Sequence, residues 1–213
     1  HEFSGKVIDT FDKESEWNGK RVGIFPLIPC GECPCCKKKM YEMCSNYNYL
    51  GSRCNGGFAE YVAVPEWNLI ELPDNVSYEQ AAMMEPMAVA LHAVRRFNIP
   101  DDASVCVIGL GTIGLLLTMF LKARGIQNVY VVGNKEMQKH FAVRLGIDEQ
   151  HYNADSIQAD YVFECVGKND TVNRAIEFAV SAGHIVLVGN PYSDMSMSKD
   201  TYWKILRKQL KLS

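Results

Sequence analysis

The sequence lacks the features expected of a nucleic-acid-binding or secreted protein. Its 213 residues include 22 lysines and arginines against 25 aspartates and glutamates, a net charge of −3. A nucleic-acid-binding face normally requires a strongly basic balance. We find no secretory-signal pattern, internal repeat or low-complexity segment in the sequence. The expected partner is therefore a small molecule rather than a nucleic acid.

An uninterrupted membrane-spanning run is also missing. Residues 103–121 contain no charged side chain, and their length alone would suit a helix that crosses a bilayer. Gly109, Gly111 and Gly114 interrupt this stretch, however, and its first half consists of strand formers such as Val105. The pattern predicts a strand, a turn and a helix. No membrane partner is expected.

Cysteine, by contrast, is abundant, and four of the eight cysteines form one cluster. They follow the spacing C-x2-C-x2-C-x7-C: Cys30, Cys33, Cys36 and Cys44. Four thiolates about 2.3 Å from a zinc ion fill its coordination sphere and leave no open position, so this zinc would be structural. A disulfide-linked loop is the alternative, although Cys33, Cys35 and Cys36 crowd too closely to pair with one another. Cysteines that bind a metal rather than form disulfides are typical of a reducing compartment, so a cytoplasmic location is expected.

The secondary-structure pattern changes near Glu85. Residues 1–84 are interpreted as a β-rich domain with a zinc lobe at 28–48 and strands at 6–8, 21–25 and 58–64. From residue 85 to 213, strands and helices alternate, which predicts a parallel sheet covered by helices. The expected helices are 78–97, 113–124, 135–145 and 171–181, and the expected strands 104–108, 128–132, 161–165 and 184–188. A last strand begins near Gln209 and is expected to be incomplete.

A glycine fingerprint follows the first strand of the second part. Gly109, Gly111 and Gly114 form G-x-G-x-x-G, and Thr112 and Ile113 open the next helix. Glycines let the backbone approach a pyrophosphate, and the helix N-terminus supplies N–H groups and a positive dipole. Close packing of helix on sheet is the alternative reason for such glycines. The strand–turn–helix context favours an NAD(P)-binding site.

The next strand lacks the acidic residue that would bind the ribose hydroxyls of NAD. It leads instead into Gly133, Asn134 and Lys135. Without a carboxylate there is no repulsion against a ribose 2′-phosphate, and Lys135 could pair with that phosphate. This pattern favours NADP over NAD. A solvent-facing lysine in the first turn of a helix is the alternative.

Several short motifs together resemble the zinc-dependent medium-chain alcohol and polyol dehydrogenases. In chain order they are His1-Glu2-Phe3-Ser4-Gly5, the four-cysteine lobe, Gly56-Gly57-Phe58-Ala59-Glu60-Tyr61, Met84-Glu85-Pro86, Leu91-His92-Ala93 and the glycine fingerprint. The resemblance implies an α/β fold, in which a Rossmann doubly wound parallel sheet follows a partial GroES-like β domain. Within the family, Leu50-Gly51-Ser52-Arg53 and similar stretches look most like the polyol-phosphate members.

The resemblance also implies a second, catalytic zinc. Its ligands would be the histidine of the His-Glu pair, His1, and a later glutamate, Glu85, with Glu2 able to bind or exchange. Hydride would pass between a polyol or polyol phosphate and the nicotinamide of NAD(P), beside Val166 and Gly189. Family members are often homo-oligomers, so a homo-oligomer is expected.

The family's zinc-binding cysteine that precedes the His-Glu pair has no counterpart in this sequence. We therefore expect the sequence to be a piece of a longer protein and not to be catalytically competent alone. Two alternatives remain open. One is a zinc-stabilised nucleotide-sensing or binding module without dehydrogenase activity, and the other is a dehydrogenase of the sorbitol or threonine type.

Overall fold

In the computed structural model, which describes residues 1–213, the chain divides into two units between Pro86 and Met87. The first unit contains short strands and loops, and the second contains alternating strands and helices. None of the helices is both long enough and apolar enough to cross a membrane.

The first unit is built on two small antiparallel sheets. Its elements are β1 (Ser4–Lys6), β2 (Arg21–Ile24), β3 (Leu27–Ile28), α1 (Pro34–Lys37), β4 (Asn48–Tyr49), β5 (Leu69–Glu71) and α2 (Tyr78–Ala82). One sheet has the order β1-β2-β5, and β3 pairs with β4 in a separate two-stranded ladder. Val22, Ile24 and Leu50 are buried together at the centre of this unit. The ladder leads directly into the cysteine lobe.

The strand expected at 58–64 is wrong. This segment forms no regular structure, and the side chains of Phe58 and Tyr61 are exposed. Residues with a high strand propensity are not sufficient to form a strand, because a strand also needs a neighbouring strand with which to form backbone hydrogen bonds. The first strand is likewise displaced, since β1 ends at Lys6 where the expected strand would begin.

The helix expected over 78–97 is divided in two. Ser77 caps α2 by accepting a hydrogen bond from the Gln80 N–H, and the Gln80 side chain accepts one from the Ser77 N–H. This reciprocal pair is a capping box. Helix α3 (Met84–Arg95) then begins, with Pro86 in its first turn. A proline is tolerated there because the first N–H groups of a helix have no intrahelical partner.

The second unit confirms the expected parallel sheet with helices on its faces. Its further elements are β6 (Ser104–Ile108), α4 (Thr112–Ala123), β7 (Asn128–Val132), α5 (Glu136–Arg144), β8 (Ala159–Glu164), α6 (Asn169–Phe178), β9 (Ala179–Leu187), α7 (Lys199–Lys208) and β10 (Lys211–Leu212). All five strands are parallel, in the order β10-β9-β8-β6-β7. The order reverses between β6 and β8, and a crevice for ligands is expected at the carboxyl ends of strands at such a point.

Both faces of this sheet are apolar. Along β6, Val105 and Val107 belong to one buried cluster, whereas Cys106 and Ile108 belong to the other. Successive side chains of a strand point to opposite faces, so a run without polar alternation requires cover on both sides. Residues of α3 and α4 pack in the first cluster and residues of α6 in the second.

Candidate metal centres and cofactor site

The four cysteine sulfurs of the lobe converge. All four Sγ atoms lie within 4.8 Å of one another. The Sγ–Sγ distances are 3.5 Å for Cys30–Cys44, 3.9 Å for Cys33–Cys44 and 4.0 Å for Cys30–Cys36. A tetrahedral zinc with bonds of about 2.3 Å to sulfur places its sulfurs about 3.8 Å apart. The donor set therefore fits a structural zinc ion.

Backbone N–H groups hold these sulfurs in place. Cys33 is the N-cap of α1, and its Sγ accepts from the Cys36 N–H at 3.4 Å. Pro34 follows at the start of the helix. The Cys44 Sγ accepts from the Cys30 N–H at 3.3 Å. Such donors stabilise the negative charge that a thiolate ligand carries.

The thiols differ in acidity. Hydrogen bonds from the backbone N–H groups of Cys36 and Ser45 lower the pKa of Cys33 to about 6, and the Cys30 N–H lowers the pKa of Cys44. Burial raises the pKa of Cys36 to about 12. A bound dication is therefore needed to hold all four sulfurs as thiolates at neutral pH. Cys35 lies outside this group of mutually close donors.

His1, Glu2 and Glu85 form a second cluster of potential ligands. Each offers one atom within 4.8 Å of the other two, and His1 Nδ1 lies 3.7 Å from Glu85 Oε2. Tetrahedral zinc bonded to nitrogen and oxygen at about 2.1 Å requires a separation of about 3.4 Å. The three donors fit a zinc ion. Unlike the thiol cluster, this one is open, with the His1 side chain 40% exposed.

Tyr49 is a member of this cluster that sequence reasoning missed. Its hydroxyl donates a hydrogen bond of 2.7 Å to Glu85 Oε1, and its ring lies edge-on to the His1 ring at 5.7 Å. Burial, together with the adjacent Glu85 carboxylate, raises the pKa of Tyr49 above its ordinary value, so the hydroxyl remains a donor. By occupying one oxygen of Glu85, Tyr49 leaves the other to face His1.

A tight turn after β4 supports the same cluster. The Tyr49 carbonyl accepts from the N–H groups of Ser52, Arg53 and Cys54 at 2.9–3.2 Å. Gly51 has a φ of +86°, and a Cβ at this position would lie 2.6 Å from the His1 nitrogen. Only glycine allows both this conformation and this close approach. The backbone of the turn therefore lies in close contact with His1.

The three fingerprint glycines have different structural requirements. Gly109 has a φ of +93°, and a Cβ on Gly114 would collide with the Gly109 carbonyl oxygen. Gly111, in contrast, has an ordinary φ of −74°, and a Cβ there would meet nothing within 4 Å. The space beside Gly111 is therefore open. Thr112 and Ile113 follow in the first turn of α4, where helical N–H groups lack intrahelical partners.

Two glycine turns lie at the carboxyl ends of neighbouring strands. Val166 and Gly167 follow β8, and Gly189 lies beyond β9. A Cβ on Gly109 would meet the Val166 side chain, and one on Gly189 would collide with the Gly167 nitrogen. The structure thus brings the predicted residues Gly109, Val166 and Gly189 to one edge of the sheet, where a dinucleotide-binding fold holds its cofactor.

Asn134 and Lys135 lie at the end of β7 and are exposed. The Asn153 side chain bonds to both backbone groups of Gly133, at 3.0 and 2.8 Å. Gln138 Oε1 accepts from the N–H groups of Asn134 and Lys135 at 2.9 and 3.2 Å. Lys135 forms no ion pair, whereas Lys139 pairs with Glu149. The loop is therefore ordered while its lysine ammonium remains free. Sequence reasoning missed Asn153, which lies 20 residues along the chain from Gly133.

Comparisons with known proteins agree with both units. The alcohol dehydrogenase GroES-like domain matches residues 1–74, and the zinc-binding dehydrogenase model matches residues 112–213. Galactitol 1-phosphate 5-dehydrogenase of Escherichia coli K12 is 33% identical over 223 aligned residues, which cover 99% of this chain and 64% of that protein. The chain thus spans about two thirds of the length of this relative.

Solved structures show the same relationship. The crystal structure of galactitol-1-phosphate dehydrogenase from Escherichia coli has a TM-score of 0.89 and 31% identity, with all of this chain and 65% of that one covered. A zinc-binding dehydrogenase from Sinorhizobium meliloti 1021 bound to NADP and an alcohol dehydrogenase from Escherichia coli CFT073 complexed with NADH each have a TM-score of 0.88. They are 28% and 27% identical, and each match covers all of this chain and 66% of the other. The chain belongs to the zinc-type medium-chain dehydrogenase family.

Proposed function

We propose that the protein is a zinc-dependent, NAD(P)-linked dehydrogenase that transfers a hydride between a polyol or polyol phosphate and the nicotinamide. The observation that carries this proposal is the open cluster of His1, Glu2 and Glu85. A four-thiolate zinc alone has no coordination position for a substrate, whereas a site with nitrogen and oxygen ligands and an open side does. Galactitol 1-phosphate is the first substrate to test, because one relative is named galactitol 1-phosphate 5-dehydrogenase.

The proposed roles follow the two parts of the chain. Residues 1–84 would hold the structural zinc and, with Glu85, the catalytic zinc, while the remainder to residue 213 would bind the cofactor. A bound zinc supplies a Lewis acid that lowers the pKa of an alcohol hydroxyl, and NAD(P) supplies the hydride acceptor. The chain's own contribution would be to orient Glu85 through Tyr49 and to bind the pyrophosphate with the glycine turn that contains Gly111.

Arg53 is a candidate for recognising the phosphate of a polyol phosphate. Its guanidinium stacks on the Tyr47 ring, 3.9 Å from the centroid, and donates to the Tyr47 carbonyl at 3.3 Å. No carboxylate pairs with it, so most of its donors are free, and guanidinium binds phosphate well. Arg53→Ala should raise the KM for a phosphorylated polyol and leave that for a free polyol unchanged. An unchanged KM for both would exclude Arg53.

The free ammonium of Lys135 supports a preference for NADP. We expect Lys135→Ala to weaken NADP+ binding about tenfold, because it removes one charge-assisted contact to the 2′-phosphate, and to leave NAD+ binding unchanged. Lys139→Ala provides the control, since Lys139 is already paired with Glu149. Equal losses for NAD+ and NADP+ would contradict the preference.

The glycine fingerprint offers a matched pair of variants. Gly111→Ala should weaken binding of both nucleotides at least tenfold while the melting temperature stays unchanged, because its Cβ meets no protein atom. Gly114→Ala should lower the melting temperature, because its Cβ would collide with the Gly109 carbonyl. Isothermal titration calorimetry and thermal unfolding measure the two effects. Unchanged nucleotide binding by Gly111→Ala would contradict the cofactor site.

A nucleotide-sensing module without dehydrogenase activity is the second candidate function. A sensing module would need only the four-thiolate zinc site and the glycine-containing turns at the edge of the parallel sheet. The decisive experiment assays the protein at its full natural length, loaded with zinc, against galactitol 1-phosphate, sorbitol and threonine with NAD+ and NADP+, and measures zinc in the same sample. Turnover with two zinc ions per chain supports the dehydrogenase. One zinc and no turnover supports the sensing module, and turnover of sorbitol or threonine alone would reassign the substrate.

Two further proposals concern the setting of the protein. Eight cysteines, four of them proposed as zinc ligands, favour a reducing compartment such as the cytoplasm, and family resemblance favours a homo-oligomer. Light scattering coupled to size-exclusion chromatography measures the assembly, and a monomeric mass would exclude it.

A further inference from the structure

The Glu164 side chain closes the turn that follows its own strand. Glu164 is the last residue of β8 and is 0% exposed. Its Oε1 accepts from the Val166 N–H at 2.9 Å and from the Gly167 N–H at 3.0 Å, and Oε2 lies 3.1 Å from the Gly167 nitrogen. These charge-assisted bonds compensate the burial of the carboxylate. The side chain therefore fixes the turn after β8.

The backbone of Glu164 holds a second turn. Its carbonyl oxygen accepts from the N–H groups of Val188 and Gly189, at 2.8 and 2.9 Å, just after β9 ends at Leu187. One residue thus forms hydrogen bonds with the turns that follow two neighbouring strands. The carboxylate bonds to the turn after β8, and the carbonyl bonds to the turn after β9.

The turn after β8 contacts both the turn after β9 and the glycine fingerprint. A Cβ on Gly189 would collide with the Gly167 nitrogen, so these two turns lie backbone against backbone. A Cβ on Gly109 would collide with the Val166 side chain. Val166 and Gly167 are the two residues whose N–H groups the Glu164 carboxylate binds. The carboxylate therefore acts on the turn that contacts both of the others.

The three turns follow the carboxyl ends of β6, β8 and β9, and the strand order reverses between β6 and β8. In folds of this kind, a dinucleotide binds outside the strand ends at such a point. Glu164 itself is 0% exposed, so it can affect a ligand only through the turns that it holds.

We propose that Glu164 is a positioning residue for the cofactor site: its carboxylate holds the turn at Val166 and Gly167 in the conformation in which the three turns together bind the dinucleotide. This role rests on the proposed cofactor site. A binding surface that already has its bound shape avoids the cost of ordering that surface on binding. Loss of the carboxylate should therefore weaken cofactor binding even though Glu164 does not contact the cofactor.

The same strand supplies a matched control. Asp160, near the amino end of β8, also accepts two hydrogen bonds through its carboxylate, from the Ser104 N–H and the Ser104 hydroxyl, both at 2.9 Å. Glu164→Met and Asp160→Leu each replace a hydrogen-bonded carboxylate by an apolar side chain of similar size. Both should lower the melting temperature, because a backbone N–H loses its acceptor. Glu164→Met alone changes the carboxyl ends of the strands.

The experiment measures dissociation constants by calorimetry on zinc-loaded protein at its full natural length. The ligands are NADP+ and adenosine 2′,5′-bisphosphate, which keeps the adenosine and the 2′-phosphate but lacks the nicotinamide half. NAD+ and adenosine 5′-monophosphate form a second such pair. We expect Glu164→Met to weaken dinucleotide binding about tenfold and to change binding of the adenosine fragments less than about twofold. Glu164→Gln, which retains one acceptor oxygen, should restore most of the dinucleotide affinity, and Asp160→Leu should retain the affinity for all four ligands.

Several results would overturn the proposal. Equal losses for dinucleotides and fragments in Glu164→Met would show that Glu164 only stabilises the fold, and so would an equal loss of dinucleotide binding in Asp160→Leu. If Glu164→Met does not fold, Glu164→Asp, which is one methylene shorter, decides by the same comparison. Failure of the unmodified protein to bind any of the four ligands would remove the cofactor site as well. Normal binding by the unmodified protein, with unchanged dinucleotide affinity in the Glu164 variant, would remove this positioning role alone.

Discussion

The two candidate metal centres of the first unit contain different donors in different surroundings. In the lobe, four sulfurs face one another, and Cys36 and Cys44 are buried. In the second cluster, a histidine and two carboxylates converge, and His1 and Glu2 are exposed. Soft thiolates close the coordination sphere of zinc, whereas harder nitrogen and oxygen donors with an open side leave room for another ligand.

The supporting contacts differ as well. Backbone N–H groups, whose positions the local chain sets, stabilise the lobe sulfurs of Cys33 and Cys44. The second cluster is supported by parts of the chain that are distant in sequence: the Tyr49 hydroxyl bonds to Glu85, 36 residues away, and the turn at Gly51 lies against His1. A centre supported by its local backbone should therefore be less sensitive to changes in distant side chains than a centre supported by contacts from distant parts of the chain.

The largest expected effect comes from removing a lobe sulfur. Cys36→Ser should lower the zinc affinity of the lobe between about a hundredfold and a thousandfold, since one of four ligands carries roughly a quarter of a binding free energy of about 10–16 kcal/mol. Cys35→Ser should leave that affinity unchanged, because Cys35 is outside the cluster. Competition with a chromophoric chelator measures both. Equal losses in the two variants would contradict the ligand assignment.

Removing a ligand from the second cluster should release its zinc and leave the lobe zinc bound. Glu85→Gln removes the ligand charge and should weaken this site between tenfold and a hundredfold, while the lobe keeps one zinc per chain. Glu79→Gln, an exposed carboxylate change in α2, should have no effect. Metal analysis after dialysis against a weak chelator distinguishes one zinc from two. Two retained zinc ions in Glu85→Gln would exclude Glu85 as a ligand.

Removing the supporting hydroxyl should have a smaller effect. Tyr49→Phe keeps the ring against His1 but deletes the hydrogen bond to Glu85, so the zinc affinity of the second cluster should fall about tenfold. Tyr47→Phe is the matched control, because the Tyr47 hydroxyl makes no hydrogen bond in the structure. A Tyr49→Phe variant with unchanged affinity would show that Glu85 is oriented by other contacts.

The smallest effect concerns the metal-free lobe. The pKa of Cys33 is lowered from 9.0 to about 6 by backbone N–H groups, so its alkylation rate should rise through about pH 6 and then level off. In the denatured chain the same rise should occur near pH 9. The stability that Cys33 contributes is therefore fully present above pH 9 and lost as pH falls to about 6. Mass spectrometry of alkylated peptides at several pH values checks this prediction, which a midpoint near pH 9 in the folded chain would contradict.

The sequence predicts features that depend on neighbouring residues. The spacing of Cys30, Cys33, Cys36 and Cys44 places four sulfurs within one short loop, so convergence requires little of the remaining fold. The strand–turn–helix around Gly109 and Gly114 is equally local. The expected parallel sheet is confirmed because alternating strand and helix patterns leave few alternative arrangements.

Features that depend on distant packing could not be predicted. Nothing in the residues around Tyr49 indicates a carboxylate partner 36 residues away. The burial of Glu164, the last residue of β8, likewise depends on β6 and β9, which lie on either side of that strand. The strand expected at 58–64 is wrong for the same reason, since alternation reports local preference and cannot supply a pairing partner. The grouping of His1 with Glu85 rested on family resemblance, because the two residues are far apart in sequence.

The two-stranded ladder of the first unit connects the two candidate metal centres. Leu27 pairs with Tyr49 and Ile28 with Asn48, and Cys30 follows Ile28 by two residues. Disorder in the lobe should therefore loosen the strand that pairs with Tyr49, the residue that donates a hydrogen bond to Glu85. The lobe should not depend on the second cluster in return, because backbone N–H groups of the lobe itself hold its sulfurs. Loss of the lobe zinc should therefore weaken the second site, whereas loss of the Glu85 ligand should leave the lobe site unchanged.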